Sequence, residues 1–244
     1  VMKINNISIV IFILNEEKNL TKLIKEIKKV KKKMSVNKFE LILVDDDSTD
    51  GTHEILINLK KRNNFIRYFI RKKKRRDLSQ SCFHGFDKAK YENIIVMDGD
   101  LQHPPRYIKN LLKVFFYKKV DVVIGSRNLL NKRGPGLSLF RYLSSIFIIQ
   151  VINLFLENKT SDPMSGFFVF KKKIYKKNKK KLFGKGYKIL ADLIYSTSER
   201  LRILDYEIYF DSRKSGKSKM NLLVILQLVI FIIKSFILKW KIKI

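Results

Sequence analysis

The chain has 244 residues, 45% of them hydrophobic, enough for one large or two small domains with a sizeable core. Fifty-two Lys and Arg against 22 Asp and Glu give a formal charge of +30, which admits nucleic acid, an anionic membrane, phosphorylated substrates, or a lysine-rich composition with no partner behind it. A single cysteine, Cys82, excludes an intrachain disulfide and any cysteine-rich metal centre and fits a cytosolic face; no signal peptide is expected ahead of the first strand.

In chain order, the apolar runs at residues 7–14, 39–46, 65–70, 93–98 and 121–126 read as strands, and the charged stretches at 18–31, 52–61, 79–90 and 105–118 as the helices between them. This is the βα alternation of a doubly wound, Rossmann-like α/β fold. Right-handed crossovers then place the carboxyl ends of the first, second and fourth strands on one edge of the sheet, where such folds bind ligands. The loops "LNEE", "DDDSTDGT" and "DGDLQ" are therefore expected to converge in one crevice. The basic runs 71–76 and 176–181 read as solvated faces, since they lack the interleaved aromatics of a single-strand-binding groove.

The loop "VMDGDLQHPP" at 96–105 is the sharpest signal. Carboxylates gathered with few histidines suit a hard, oxygen-preferring cation such as Mg²⁺ or Mn²⁺. Asp100 and Gln102 stand two apart, so in an extended loop they share a side. The bland reading, a strand cap followed by a helix with Pro at its first position, accounts for an isolated DxD but less well for one beside two further acidic loops. His53, His84 and His103 show no ligand spacing and read as structural or incidental, and Cys82 as a small core residue.

The motifs "NEE", "VDDDSTDGT", "VMDGDLQHPP", "VIGSRN", "DPMSGFFVF" and "RKSGKSKM" occur in the order found in polyisoprenyl-phosphate glycosyltransferases, and the chain resembles the dolichol-phosphate mannose synthase-like branch of the inverting family-two glycosyltransferases from about Ile7 to Met220. The resemblance implies a GT-A fold with a mixed sheet, a nucleotide-sugar donor, Mg²⁺ or Mn²⁺, and a polyisoprenyl phosphate acceptor. It implies that Glu16, Asp46 and the backbone at Val44 hold the nucleoside, that Asp98 and Gly99 lie along ribose and pyrophosphate, and that Asp100 and Gln102 bind the metal. Arg127 and Arg213 would neutralise phosphates, as planar, permanently charged guanidinium groups do well, with Lys219 closing over the donor. Arg141 and Ser145, four apart on one helical face, match acceptor-phosphate positions. Two departures stand out: Phe12, Ile13 and Leu14 replace a usual Pro-Thr-Tyr before "NE", and Asp77 replaces a common glycine.

Residues 137–156 are apolar yet carry Arg141, Ser144, Ser145, Gln150 and Asn153, which suits amphipathic helices lying in a membrane interface; a core helix is the alternative. Residues 222–238 make a hydrophobic segment about 25 Å long as a helix, short of the roughly 30 Å hydrocarbon layer, with Lys234 able to snorkel. The expected organisation is a catalytic domain over 1–220 and a membrane-associated C-terminal helix over 221–244. Many relatives continue into further spanning helices, so a minimal version or a membrane partner subunit is expected. Much of the positive charge would then face anionic lipid at the cytoplasmic side. A saccharide acceptor is the alternative for the transfer. Nucleic-acid binding would explain the charge but not "DGDLQHPP", and nucleic acid is not expected as a partner.

Overall fold

The structure is a computed structural model and describes residues 6–72, 74–127, 142–143, 146–147, 149–150, 153–154, 160–186, 189–197 and 199–210. Its elements run β1 (Ile7–Ile13), α1 (Glu17–Lys32), β2 (Phe39–Asp45), α2 (Thr52–Lys61), β3 (Ile66–Ile70), α3 (Leu78–Lys88), β4 (Asn93–Asp98), a 3₁₀ turn (Pro105–Tyr107), α4 (Ile108–Tyr117), β5 (Val122–Ser126), β6 (Phe168–Lys171), α5 (Lys172–Asn178), a second 3₁₀ turn (Lys179–Lys181), α6 (Ile189–Tyr195) and β7 (Ile203–Glu207).

Among the described residues the strands form one seven-stranded sheet ordered β3-β2-β1-β4-β6-β5-β7. β6 runs antiparallel to both β4 and β5, while the other pairings are parallel. The sheet is therefore mixed, as the resemblance implied, and β6 separates β4 from β5.

Both sheet faces are covered, which is why the central strands are continuous apolar runs rather than alternating ones. Successive side chains point to opposite faces: Ile7, Ile9, Ile11 and Ile13 join Leu41, Leu43, Ile95 and Met97 in one core layer with α1 and α4. Val10 and Phe12 join Ile42, Val44, Ile94 and Val96 in the other, under α3, α5 and α6. α1 buries Leu20, Leu23, Ile24, Ile27 and Val30, the three-and-four spacing of an amphipathic helix. Lys29, Lys31 and Lys32 occupy its last turn, where a cation complements the helix dipole.

α3 lies so close to the sheet that a Cβ on Gly85 would stand 2.4 Å from Val10 Cγ1 and 3.2 Å from Val44 Cγ2. Both valines are fully buried and β-branched, so they have little rotamer freedom with which to yield. Gly85→Ala is expected to destabilise the protein by about 1–3 kcal/mol through overpacking, read as a lower urea midpoint at unchanged slope.

The basic run at 176–181 is largely surface, with Lys176, Lys177, Lys179, Lys180 and Lys181 exposed. The run at 71–76 is not uniformly so. Arg71 is buried, a correction to its reading as part of a solvated face, because it directly follows β3 and turns in toward the end of β2. Within 137–156 the described residues are helical, with Leu143, Phe147 and Leu154 exposed and Ile149 buried. Among the described residues no helix is long and apolar enough to cross a membrane; the segment 222–238 lies outside them.

Candidate active site

The register of the parallel strands builds the crevice. Ile13 pairs with Asp45 and Phe12 with Asp98, so β2, β1 and β4 end side by side and their loops leave the sheet together. β6 runs the other way, so the loop entering it, 160–167, reaches the same edge, and Arg127 follows directly from the end of β5.

The first two loops are sewn to each other. The Asn15 N–H donates to Ser48 Oγ at 2.8 Å, the Thr49 N–H to Asn15 Oδ1 at 2.9 Å, and the Glu16 N–H to Thr52 Oγ1 at 3.1 Å. Asn15 and Asp47 take positive φ, 56° and 63°, a conformation that Asn and Asp tolerate better than most side chains. Asp45, fully buried, shapes its own loop: it accepts from the Ser48 N–H at 2.9 Å, bonds the Ser48 hydroxyl, and lies 2.6 Å from His53 Nε2.

Asp46 is held by Arg71, whose Nη1 also donates to Ser81 Oγ at 3.0 Å, while the Asp77 N–H donates to Asp46 Oδ2 at 2.6 Å. Burial raises the Asp46 carboxyl above its ordinary range, with the Arg71 charge opposing it. Asp77, the departure from a common glycine, has a structural role. It caps α3 by accepting from the Gln80 N–H at 3.2 Å, and its other oxygen accepts from the Gly186 N–H at 3.1 Å, the short-range bonds that make Asp a favoured N-cap. Val44 is fully buried, in register with Phe12 and Phe69, one residue inside the mouth. Glu16 accepts from Asn19 Nδ2 at 2.7 Å.

A Cβ on Gly99 would lie 3.4 Å from Glu16 Cγ and 3.3 Å from the Phe12 carbonyl oxygen, so the loops after β1 and β4 also touch. Asp100 is 5% exposed and accepts from the Gln102 N–H at 3.0 Å, a local turn that brings both residues of the expected metal pair to one place. Leu101 between them takes φ 63°. His103 is buried, stacks at 4.9 Å edge-on against Phe210, and accepts the Asp98 N–H at Nδ1, 3.1 Å. That bond leaves the ring proton on Nε2. Burial lowers the His103 pKa to about 4, so the imidazole is neutral at physiological pH. His53 is thus bonded to Asp45 and His103 to the Asp98 N–H, and His84 packs edge-on at 5.4 Å against Phe69. Cys82 is buried, and burial pushes its thiol well up.

Arg127 grips Asp162 side-on, Nε to Oδ2 at 2.9 Å and Nη2 to Oδ1 at 3.1 Å. The Asp162 side chain is fully buried while that of Arg127 is 34% exposed. Burial alone would lower the guanidinium pKa; the Asp162 and Asp98 carboxylates outweigh it and hold it above its ordinary value. A permanent cation thus stands beside Asp98 at the crevice mouth. Neither Asp162, although it lies within "DPMSGFFVF", nor Arg71 stands out as a site residue in the sequence alone. Arg141, Ser145, Arg213 and Lys219 lie outside the described residues.

Gly166, from the same motif, seals this corner. A Cβ there would lie 2.9 Å from Asp98 Oδ1 and 3.0 Å from His103 Cε1. Gly166→Ala is expected to displace Asp98 and lower turnover by roughly 10²-fold, as misplacement of about 1 Å can, with a stability loss of only about 1–2 kcal/mol. Steady-state rates beside urea denaturation read the two effects separately.

Among the described residues no group of three His, Cys, Asp or Glu side chains could hold a metal ion. What the loop after β4 offers is a short set of oxygen donors. The mixed seven-stranded sheet, with the loops after β1, β2 and β4 gathered at one edge, is of the GT-A type. Residues 8–179 match the profile of glycosyl transferase family 2, and the chain belongs to that family, in its dolichol-phosphate mannose synthase-like branch.

The dolichol-phosphate mannosyltransferase of Pyrococcus furiosus is 30% identical over 217 residues, 88% of this chain and 59% of its own length. That of Mycosarcoma maydis is 32% identical, over 75% of this chain and 61% of its length. The Saccharomyces cerevisiae protein of the same name is 32% identical, over 78% and 72%. The chain thus spans about three fifths of the first two relatives. Among solved structures, glucosyl-3-phosphoglycerate synthase from Mycobacterium tuberculosis superposes with a TM-score of 0.69 at 19% identity, over 94% of this chain and 79% of that one, a likeness of fold.

Proposed function

We propose that this glycosyltransferase moves a hexose, with inversion, from a nucleotide sugar of the GDP-mannose or UDP-glucose type to a polyprenyl or dolichyl phosphate at the cytoplasmic membrane face. The observation that carries the reading is the mouth itself: an aspartate loop suited to a metal-bound diphosphate beside Arg127, a fixed cation suited to a phosphate. The relatives named dolichol-phosphate mannosyltransferases support the acceptor.

Asp46 with Arg71, and Glu16, would contact the nucleoside. Asp98 and Gly99 would lie along ribose and pyrophosphate. Asp98, Asp100 and Gln102 present oxygen donors without thiolate or imidazole, which fits Mg²⁺ or Mn²⁺ bound by one or two carboxylates and substrate phosphates. Solved structures of the mycobacterial synthase contain Mn²⁺ with UDP-glucose, and Mg²⁺ with UDP. Here Asp100 and Gln102 would hold the cation, which when bound supplies Lewis-acid neutralisation of the departing diphosphate.

A lipid phosphate monoester is already anionic near neutral pH, its second pKa being about 6, so its oxygen attacks without a general base. The chain's contribution is positioning and charge neutralisation. Arg127, with Arg141, Ser145 and Arg213, would hold the phosphates, and Lys219 would close over the donor. Exposed Leu143, Phe147 and Leu154 on the helical segment suit an interface with lipid. The catalytic domain would extend over 1–220, with 221–244 as the membrane-associated helix, alone or with a membrane partner subunit.

The test incubates the full chain with radiolabelled GDP-mannose, UDP-glucose and UDP-N-acetylglucosamine in parallel, polyprenyl phosphate, and Mg²⁺ or Mn²⁺. One donor is expected to yield a solvent-extractable glycolipid. Label passing only to water-soluble saccharides would overturn the lipid acceptor.

A further inference from the structure

We propose that Asp205, on the edge strand β7, is a positioning residue that fixes the 160–162 loop and through it sets the direction of the Arg127 guanidinium. The inference rests on the reading that Arg127 meets a substrate phosphate.

Arg127 lies just beyond the end of β5, and a long side chain there has many rotamers. Its direction is set by the side-on pair with Asp162, reinforced by its own N–H to Asp162 Oδ2 at 3.4 Å. Asp162 in turn sits in a loop outside the sheet, so something else must hold it.

The bonds lead outward to β7. The Asp162 N–H donates to Thr160 Oγ1 at 3.2 Å, and that hydroxyl donates to Asp205 Oδ1 at 2.6 Å. The second carboxylate oxygen of Asp205 accepts both the N–H and the hydroxyl of Ser161, each at 2.6 Å. With its proton used in this way, Ser161 Oγ is left to accept from Ser126 Oγ at 2.6 Å, on the residue before Arg127. Three donors from two successive residues therefore converge on one carboxylate, and such charge-assisted bonds are short and directional. Asn153 clasps the far side of the loop: its Nδ2 donates to the Thr160 carbonyl at 2.7 Å, and its Oδ1 accepts the Thr160 N–H at 3.2 Å.

A carboxylate suits this place for a simple reason. It only accepts, and all three groups aimed at it donate. Asn has one oxygen for the three donors, so its NH₂ would face Thr160 or Ser161 and at least one of the present bonds would be lost or reversed.

The test uses the full chain and the sugar-transfer assay, with thermal midpoints measured on every variant. Asp205→Asn and Thr160→Val are expected to lower kcat/KM by about 10- to 100-fold, the scale of misplacing a contact group. Thr160→Ser, which keeps the hydroxyl, is expected to stay within about threefold of wild type. If Asp205 acts through Arg127, its effect vanishes once the fork is lost, so Asp205→Asn added to Arg127→Lys costs less than about threefold more. Additive losses in that cycle, or Asp205→Asn and Thr160→Val lowering only the thermal midpoint, would overturn the inference while leaving the transfer reaction standing. Full activity in Arg127→Lys and Arg127→Ala alike would remove the premise and the inference with it.

Discussion

Asp100→Asn is expected to lower kcat by about 10²–10³-fold while changing stability by less than about 1 kcal/mol. Asn keeps the shape and can still accept the Gln102 N–H that Asp100 Oδ1 accepts at 3.0 Å, since Asn and Asp form the same local turn. What is lost is the negative charge facing the proposed cation and diphosphate. A site without general-base chemistry depends above all on electrostatic stabilisation of the departing group, and removal of one such contact costs that order of rate. Because the mouth is otherwise untouched, donor KM should move less than kcat. Full turnover with unchanged metal dependence would contradict the assignment of Asp100.

Arg127→Ala is expected to damage both the rate and the fold. Asp162 is fully buried and would lose its partner. Stranding a buried carboxylate costs about 3–5 kcal/mol where both partners are buried; Arg127 is about a third exposed, so water can partly replace it and about 2–3 kcal/mol is expected. The catalytic loss should reach about 10²-fold or more. Arg127→Lys keeps the charge but not the two-point grip, and is expected to fall between. Equilibrium denaturation and steady-state rates on the same preparations separate the two losses, and Arg127→Ala with normal rates would show that the arginine serves only Asp162.

The same residues show what is readable from the chain and what is not. β1, β2, β4 and β5 are legible because each is a largely apolar run buried on both faces, and β3, a half-buried edge strand, because its aromatic and branched residues stand between two charged helices; the ends of all five agree to within a residue. The acidic loops are legible as neighbours because parallel strands must carry their ends to one edge. The place of β6 is not: an antiparallel strand inserted between β4 and β5 leaves no trace in chain order. β7 is not legible either, since this edge strand is largely exposed and its Asp205 and Glu207 break the apolar pattern.

Arg71 is hidden by the lysines after it, although its position directly after Ile70 at the end of β3 is a signal that it can reach Asp46. Asp77 carries the pattern of a helix N-cap, an Asp immediately before an amphipathic stretch. Asp162 has no local signal; its role exists only once the fold brings it to Arg127, a residue 35 positions away.

On the proposed reading, the loop from Asp98 to Gln102 forms a metal-dependent site for a nucleoside diphosphate. Calorimetric titration of GDP and UDP into the full chain, with and without Mn²⁺, tests it most directly. One nucleotide is expected to bind at least about tenfold more tightly with the metal, and Asp100→Asn to remove the gain. Equal affinity with and without Mn²⁺, or a gain that survives Asp100→Asn, would contradict it.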